Sequence, residues 1–362
     1  MAPPTRPMTG LGTRTVLEIS SLTLIGLILG WGFSKSGMPM PYLMGSLLVT
    51  SLYSVAIANP QGRRIGFPTF IRKCSMAVIG VMIGTSFTPD ILHLLPGLWP
   101  SVTAMIIYVA LMQTLGYFFF RHLGRYDHPT AYFSAMPGGF VEAVALGEEA
   151  GADTRILILQ HFSRIVIIVL FVPLAFFILA GEAVGSGAGQ TYGPQDFNLL
   201  MGVKWVILVA TGMLIARFIH LPAGHMMGPL ILSCIVHAGG WTSLTSPNWL
   251  FNSAQLIIGL GLGAMFTGLP GKVMARVVGL GAATVAVALM VALLFAIGLA
   301  RYVDLSIMTL FICFAPGGAV EMGLIALSLG INPLIVVLHH LLRILFTVGM
   351  NGIVSRWFHS NR

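Results

Sequence analysis

The phrase Pro137-Gly138-Gly139-Phe140-Val141-Glu142 returns as Pro316-Gly317-Gly318-Ala319-Val320-Glu321, a shift of 316 − 137 = 179 residues. The same shift carries Gly151 onto Gly330, His161 onto His340 and Arg164 onto Arg343. Between 137–170 and 316–349, 12 of 34 positions are identical without a gap. We read this as an internal duplication, and a duplication decides the architecture before any single element does.

Each phrase describes a chain break. Proline has no N–H and drives the preceding residue out of the helical region. Two glycines follow without side-chain restraint. An apolar run then begins, with Glu142 or Glu321 in its first turn. A helix starting there offers amides that lack helical partners and carry partial positive charge. At membrane depth such an end must be buried in protein or line a cavity. A plain loop-to-helix turn at the membrane surface is the simpler alternative.

The depth is set by composition. Of 362 residues, 56% are hydrophobic and only 8% charged, with a mean hydropathy of +0.91. Soluble domains carry about 25% charged residues, so an all-α polytopic membrane protein is expected. The net charge of +8 sits in short loops, as the positive-inside rule requires, and not in a nucleic-acid-binding domain. Cys74, Cys234 and Cys313 lie in separate apolar segments, a spacing that suggests neither a disulfide frame nor a zinc site.

The expected organisation is a cytoplasmic tail (1–15), a first transmembrane repeat (16–180), a Gly-rich linker (181–200), a second repeat (201–355) and a tail (356–362). Apolar runs fall at 16–33, 42–57, 75–87, 98–120, 132–147 and 156–180, then at 203–219, 226–237, 250–266, 277–300, 305–329 and 333–354. Pro89 and Asp90 are read as a break, and the six tryptophans as an interfacial belt near run ends. The run from 16 is read as a retained span, not a cleaved signal.

Charge asymmetry bears on topology. If the phrase segments cross fully, loop Lys/Arg divide 12 inside to 5 outside; if each enters and returns on one face, they divide 14 to 3. The second arrangement gives two inverted repeats. Each has about five transmembrane helices plus a broken or re-entrant Pro-Gly-Gly segment, and the two breaks approach the midplane, a recurrent plan of secondary transporters.

Arg164 and Arg343 lie about ten residues into a run, roughly 15 Å deep. A charge there costs at least ~2.5–3.5 kcal/mol and needs a partner or water. Glu142 and Glu321 are the expected partners, either as a structural clamp or as a site. His161 and His340 stand three residues before each arginine, hence on the same face. They read as core histidines or as proton-handling groups. The candidate solute-binding set is therefore Pro137, Gly138, Gly139, Glu142, His161 and Arg164 with Pro316, Gly317, Gly318, Glu321, His340 and Arg343. Glu148, Glu149 and Asp153 read as a solvated loop. No catalytic residue, metal site or cofactor is expected, and the chain is not read as an enzyme.

The doubled P-G-G-x-V-E phrase, followed by H-x-x-R on the next helix, resembles the AbrB-duplication family of bacterial inner-membrane proteins. The resemblance runs from about residue 16 to 354. Members carry names such as AbrB family protein, regulator of aidB expression, or an ammonia monooxygenase label. It implies a multi-pass inner-membrane protein of two homologous halves. The residues favour a secondary transporter of a small, anionic solute, with a midplane site between the repeats and a coupling proton or ion. The alternatives are a membrane sensor or scaffold that regulates gene expression indirectly and, behind it, a membrane monooxygenase. Expected partners are the lipid bilayer, the solute and a second copy of the chain, without direct nucleic-acid binding, and the N-terminus is expected in the cytoplasm.

Overall fold

A computed structural model describes residues 13–87, 95–180, 199–219, 224–242, 244, 246–267 and 271–360. The expected linker falls almost wholly outside these residues, as do the outer parts of both tails and the break at Pro89 and Asp90. The described residues form fourteen α-helices and no strand. The first seven are α1 (Thr13–Lys35), α2 (Pro41–Tyr53, extended by a π turn, Ser54–Ala58), α3 (Thr69–Thr85), α4 (Trp99–His122), α5 (His128–Ser134), α6 (Phe140–Glu149) and α7 (Thr154–Ala180). The second seven are α8 (Leu199–Ile219), α9 (Gly224–Ala238), α10 (Asn248–Ala264), α11 (Gly271–Leu299), α12 (Ile307–Phe314), α13 (Ala319–Ser328) and α14 (Pro333–Ser360).

Adding 179 to α3 gives the bounds of α10, and adding it to α6 gives those of α13. The punctuation repeats too. Pro68 and Pro247 hold extended backbone before α3 and α10, since proline fixes φ and ends what precedes it. Asp127 and Ser306 precede α5 and α12 with extended backbone. Ser306 completes its cap, its Oγ accepting from the Thr309 amide at 3.1 Å. The apolar runs 132–147 and 305–329 each resolve into two short helices, because the Pro-Gly-Gly phrase interrupts them.

The repeats interlock. α2 packs along α10, and its counterpart α9 packs along α3. A Cβ on Gly259 would lie 2.5 Å from Leu43 O, and one on Gly263 2.8 Å from the Ser51 amide. Residue numbers rise together, so α2 and α10 run the same way. A Cβ on Gly80 would collide with Met226 O, and one on Gly84 would lie 2.7 Å from Leu230 O, so α3 and α9 also run together. Polar bonds cross these contacts: Ser54 Oγ donates to Gly263 O at 2.9 Å and Ser233 Oγ to Val81 O at 2.9 Å. Arg72, at the start of α3, reaches the end of α10, with Nη1 3.1 Å from the Met265 sulfur. α3 and α10 therefore run in opposite directions.

Among the described residues, seven helices are long and apolar enough to cross a membrane. Their outward faces are apolar, with Leu17, Val206 and Phe218 63%, 67% and 80% exposed, an arrangement stable only against lipid. The chain is a multi-pass membrane protein. The tryptophan belt needs one correction. Trp31, Trp99, Trp241 and Trp249 are exposed near helix ends, but Trp205 is buried in the core, turned inward from α8 toward the helices that cover it.

Candidate functional site

The two chain breaks sit at the centre. Gly139 caps α6 in the left-handed conformation (φ 71°), which glycine adopts without the steric cost other residues bear. Gly318 caps α13 with extended backbone (φ −82°, ψ 155°). The two copies of one phrase thus start their helices differently.

The residues around each break satisfy its loose backbone groups. On the entering side, short helices α5 and α12 end with carbonyls that lack helical partners. Arg164 Nη1 donates to Met136 O at 2.7 Å, and Arg343 Nη1 donates to the equivalent Ala315 O at 2.7 Å. Arg343 Nη2 also donates to Gly317 O. His161 bonds Phe133 O through Nε2 at 2.9 Å, and its Nδ1 lies 3.1 Å from Arg164 Nη2. That pair of contacts requires the Nε2–H tautomer. His340 instead bonds Val336 O through Nδ1 at 2.9 Å. On the leaving side, Glu142 and Glu321 occupy the third position of their helices. Their carboxylates fold back over the capping glycines: a Cβ on Gly139 would lie 3.1 Å from Glu142 Oε2, and one on Gly318 would strike Glu321 Oε2. This is the reach-back of a capping-box glutamate toward the first helical amides.

The expected glutamate–arginine pairs therefore do not form. Among the described residues the ion pairs join Glu18 to Arg14 and Arg63. Arg343 is 1% exposed, and both guanidiniums lie close enough to Tyr108 to act on it electrostatically. Backbone carbonyls supply partial negative charge at each arginine, but among the described residues no carboxylate pairs with either cation.

One small cavity joins the breaks. It holds about 40 Å³ and is bounded by both prolines, Pro137 and Pro316, with Tyr108, Ser134, Gln160 and Arg164 among its polar wall. Ser134 Oγ, Gln160 Oε1 and Arg164 Nε are buried there without a hydrogen-bond partner. Leaving such groups unsatisfied costs about 1–3 kcal/mol each, so the wall is built to meet a polar guest. The 179 shift replaces Tyr108, Ser134 and Gln160 by Val287, Cys313 and His339. His339 is spent on Ser101, its Nε2 2.9 Å from Ser101 Oγ.

The first break is also faced from the second repeat. A Cβ on Gly138 would lie 3.5 Å from Thr347 Oγ1. Thr347 Oγ1 and Asn351 Oδ1 are buried without partners, and the 179 shift places apolar Ile168 and Val172 at their counterparts. The polar environment therefore gathers around the first break. Of the expected residues, Pro137, Arg164 and Pro316 line the cavity, Gly138 and Gly139 pack on α14, Arg343 and His161 bond backbone carbonyls beside the breaks, and His340 bonds within its own helix. Glu321 is buried and Glu142 half-buried, each turned toward its own helix start. Tyr108, Ser134, Gln160, Thr347 and Asn351 are the residues the motif did not point to. A polar side chain inside an apolar run was the available signal for Gln160 and Asn351.

Comparison with known proteins places residues 50–359 within the family described as transition state regulatory protein AbrB. The chain is 24% identical to the Escherichia coli (strain K12) protein named "Putative regulator AbrB", covering 93% of this chain and 95% of that one. It is 24% identical to the Bacillus subtilis (strain 168) protein named "Uncharacterized protein YhjN", covering 89% of this chain and 88% of that one.

Proposed function

Because this chain belongs to the AbrB family, whose match spans most of its length, we propose a function for the doubled membrane scaffold: secondary transport of a small anion across a bacterial inner membrane. The observation that carries this reading is the cavity bounded by Pro137 and Pro316 with Arg164 in its wall. Two interior arginines, without carboxylate partners among the described residues, leave positive charge beside the breaks. A small anion entering the cavity would meet Arg164 Nε and Ser134 Oγ as donors. The volume restricts the guest to a few heavy atoms, the size of formate, nitrite or a halide.

Helix directions support an inverted arrangement. α9 runs with α3, α3 runs against α10, and α10 runs with α2, so the equivalent helices α2 and α9 point oppositely. The seven long helices with α3, α9 and α10 make ten spans, five per repeat, and the pairs α5/α6 and α12/α13 become re-entrant. The contact between the Asp153 amide and Thr130 Oγ1 supports this for the first pair. Inverted repeats with broken helices at their interface suit alternating access around a fixed site. Glu321, buried at the second break, is the group assigned to carry a coupling proton.

The test is anion flux in proteoliposomes, with formate, nitrite, chloride and acetate as probes. Flux of at least one probe, lost in Arg164→Ala and retained in Lys35→Ala, is expected. Flux that persists in Arg164→Ala, or no flux of any probe in folded protein, overturns the reading. The regulatory names belong to the relatives; a carrier would influence gene expression only through the solute it moves.

A further inference from the structure

A second, much larger cavity lies on the outer surface between α3 and α8 and is independent of the central site. It holds about 1300 Å³, above the ~300–1,000 Å³ of a drug-sized pocket. Its walls are apolar over most of their length, built from Val203, Val206, Ala210, Met213 and Leu214 on α8 against Cys74 and Val78 on α3. Val206 and Leu214 are 67% and 56% exposed. The groove runs from Leu199 to Arg217 along α8, which at 1.5 Å per residue is roughly 27 Å, the depth of a hydrocarbon core.

Its polar groups gather at one end. Lys73, Arg217 and His225 line it there, and His225 lies within electrostatic reach of Lys73 and Arg72. Among the described residues no acidic side chain lines the groove, and neither Lys73 nor Arg217 is in an ion pair. The far end is closed by Leu199 and Trp249. The repeat provides an internal comparison: shifts of 179 and 183 place Asn252, Ser34 and Tyr42 where Lys73, Arg217 and His225 stand. The basic end is therefore no requirement of the fold. Near its counterpart, Lys35 lies over the Trp31 ring, 5.6 Å from the centroid.

We propose that this groove is a binding site for one anionic phospholipid, whose phosphate is held by Lys73, Arg217 and His225 and whose acyl chains lie along α8 between Val206 and Leu214. An apolar trough with cations at one end complements such a lipid in both parts. Basic pockets between membrane helices bind anionic head groups in this way. A zwitterionic lipid of equal chain length would fill the trough but bring no net charge to its basic end.

Native mass spectrometry of the full-length protein in detergent tests this. The probes are phosphatidylglycerol and phosphatidylethanolamine with identical acyl chains. Wild-type protein should keep one phosphatidylglycerol per chain in preference to phosphatidylethanolamine. Lys73→Ala/Arg217→Ala should weaken that preference about thirtyfold, and Lys35→Ala should leave it unchanged. Val206→Trp, which fills the trough without touching the charges, should reduce retention of both lipids. Equal retention of the two lipids by wild type, an unchanged preference in the double variant, or a lipid-free dimer closed over this face would overturn the proposal.

Discussion

The Asp153 amide donates to Thr130 Oγ1 at 2.8 Å, tying the start of α5 to the residue that precedes α7. Met136, Pro137 and the break lie between them. Between them the chain turns back on itself, and a Cβ on Gly147 would meet Phe133 on the returning arm. A fully crossing segment would hold Thr130 and Asp153 a membrane apart.

Single cysteines at Asp127 and Asp153 should therefore react with a membrane-impermeant maleimide from the same face. Thr130→Val should lower stability by about 1 kcal/mol, the worth of one such bond, read as a lower midpoint of thermal unfolding in detergent. Labelling of the two sites from opposite faces would exclude the hairpin.

Arg164 and Arg343 should fail differently when removed. Arg343→Ala strips donors from Ala315 O and Gly317 O in the buried core and should cost about 3 kcal/mol of stability. Arg164→Ala removes the cavity's cation and should abolish flux while leaving most of the protein folded. Size-exclusion profiles and unfolding midpoints measured beside flux would separate the two. Equal destabilisation with equal residual flux would contradict the division of labour.

The interlocked glycines should tolerate no side chain. Gly84→Leu would drive into Ser233 and Leu230 O, and Gly259→Leu into Leu43 O. Each should cost about 3 kcal/mol or more as the paired helices are forced apart. Gly298 and Gly349 have open space where a Cβ would go, so Gly298→Ala and Gly349→Ala should leave the unfolding midpoint unchanged.

Glu321 is 6% exposed and turned toward its own helix start, where a neutral amide can replace it in shape. Glu321→Gln should keep anion exchange between equal concentrations on both sides. It should lose accumulation driven by an imposed pH gradient, which proteoliposomes loaded with buffered formate would reveal. Gradient-driven uptake equal to wild type would remove the assignment of the coupling proton.

The duplication was legible because a fixed shift leaves its mark in glycines, prolines and charges alike; it carries α3 onto α10 and Pro68 onto Pro247. The breaks were legible because Pro-Gly-Gly interrupts any helix. The partners of the arginines were not. Opposite charges in one sequence invite pairing, but Met136 O, Ala315 O and Gly317 O belong to the backbone, and no residue type announces a free carbonyl. The inequality of the two breaks was equally hidden. Thr347 reaches Gly138 from the other repeat, a contact of two segments some 200 residues apart in sequence.

The central claim is that both chain breaks converge on one anion site beside Arg164. Anomalous diffraction from crystals grown in bromide tests it most directly. A bromide peak within hydrogen-bonding distance of Arg164 Nε and Ser134 Oγ, between Pro137 and Pro316, is the expected result. Bromide found only on the protein's surface, with the cavity featureless in the anomalous map, would contradict it.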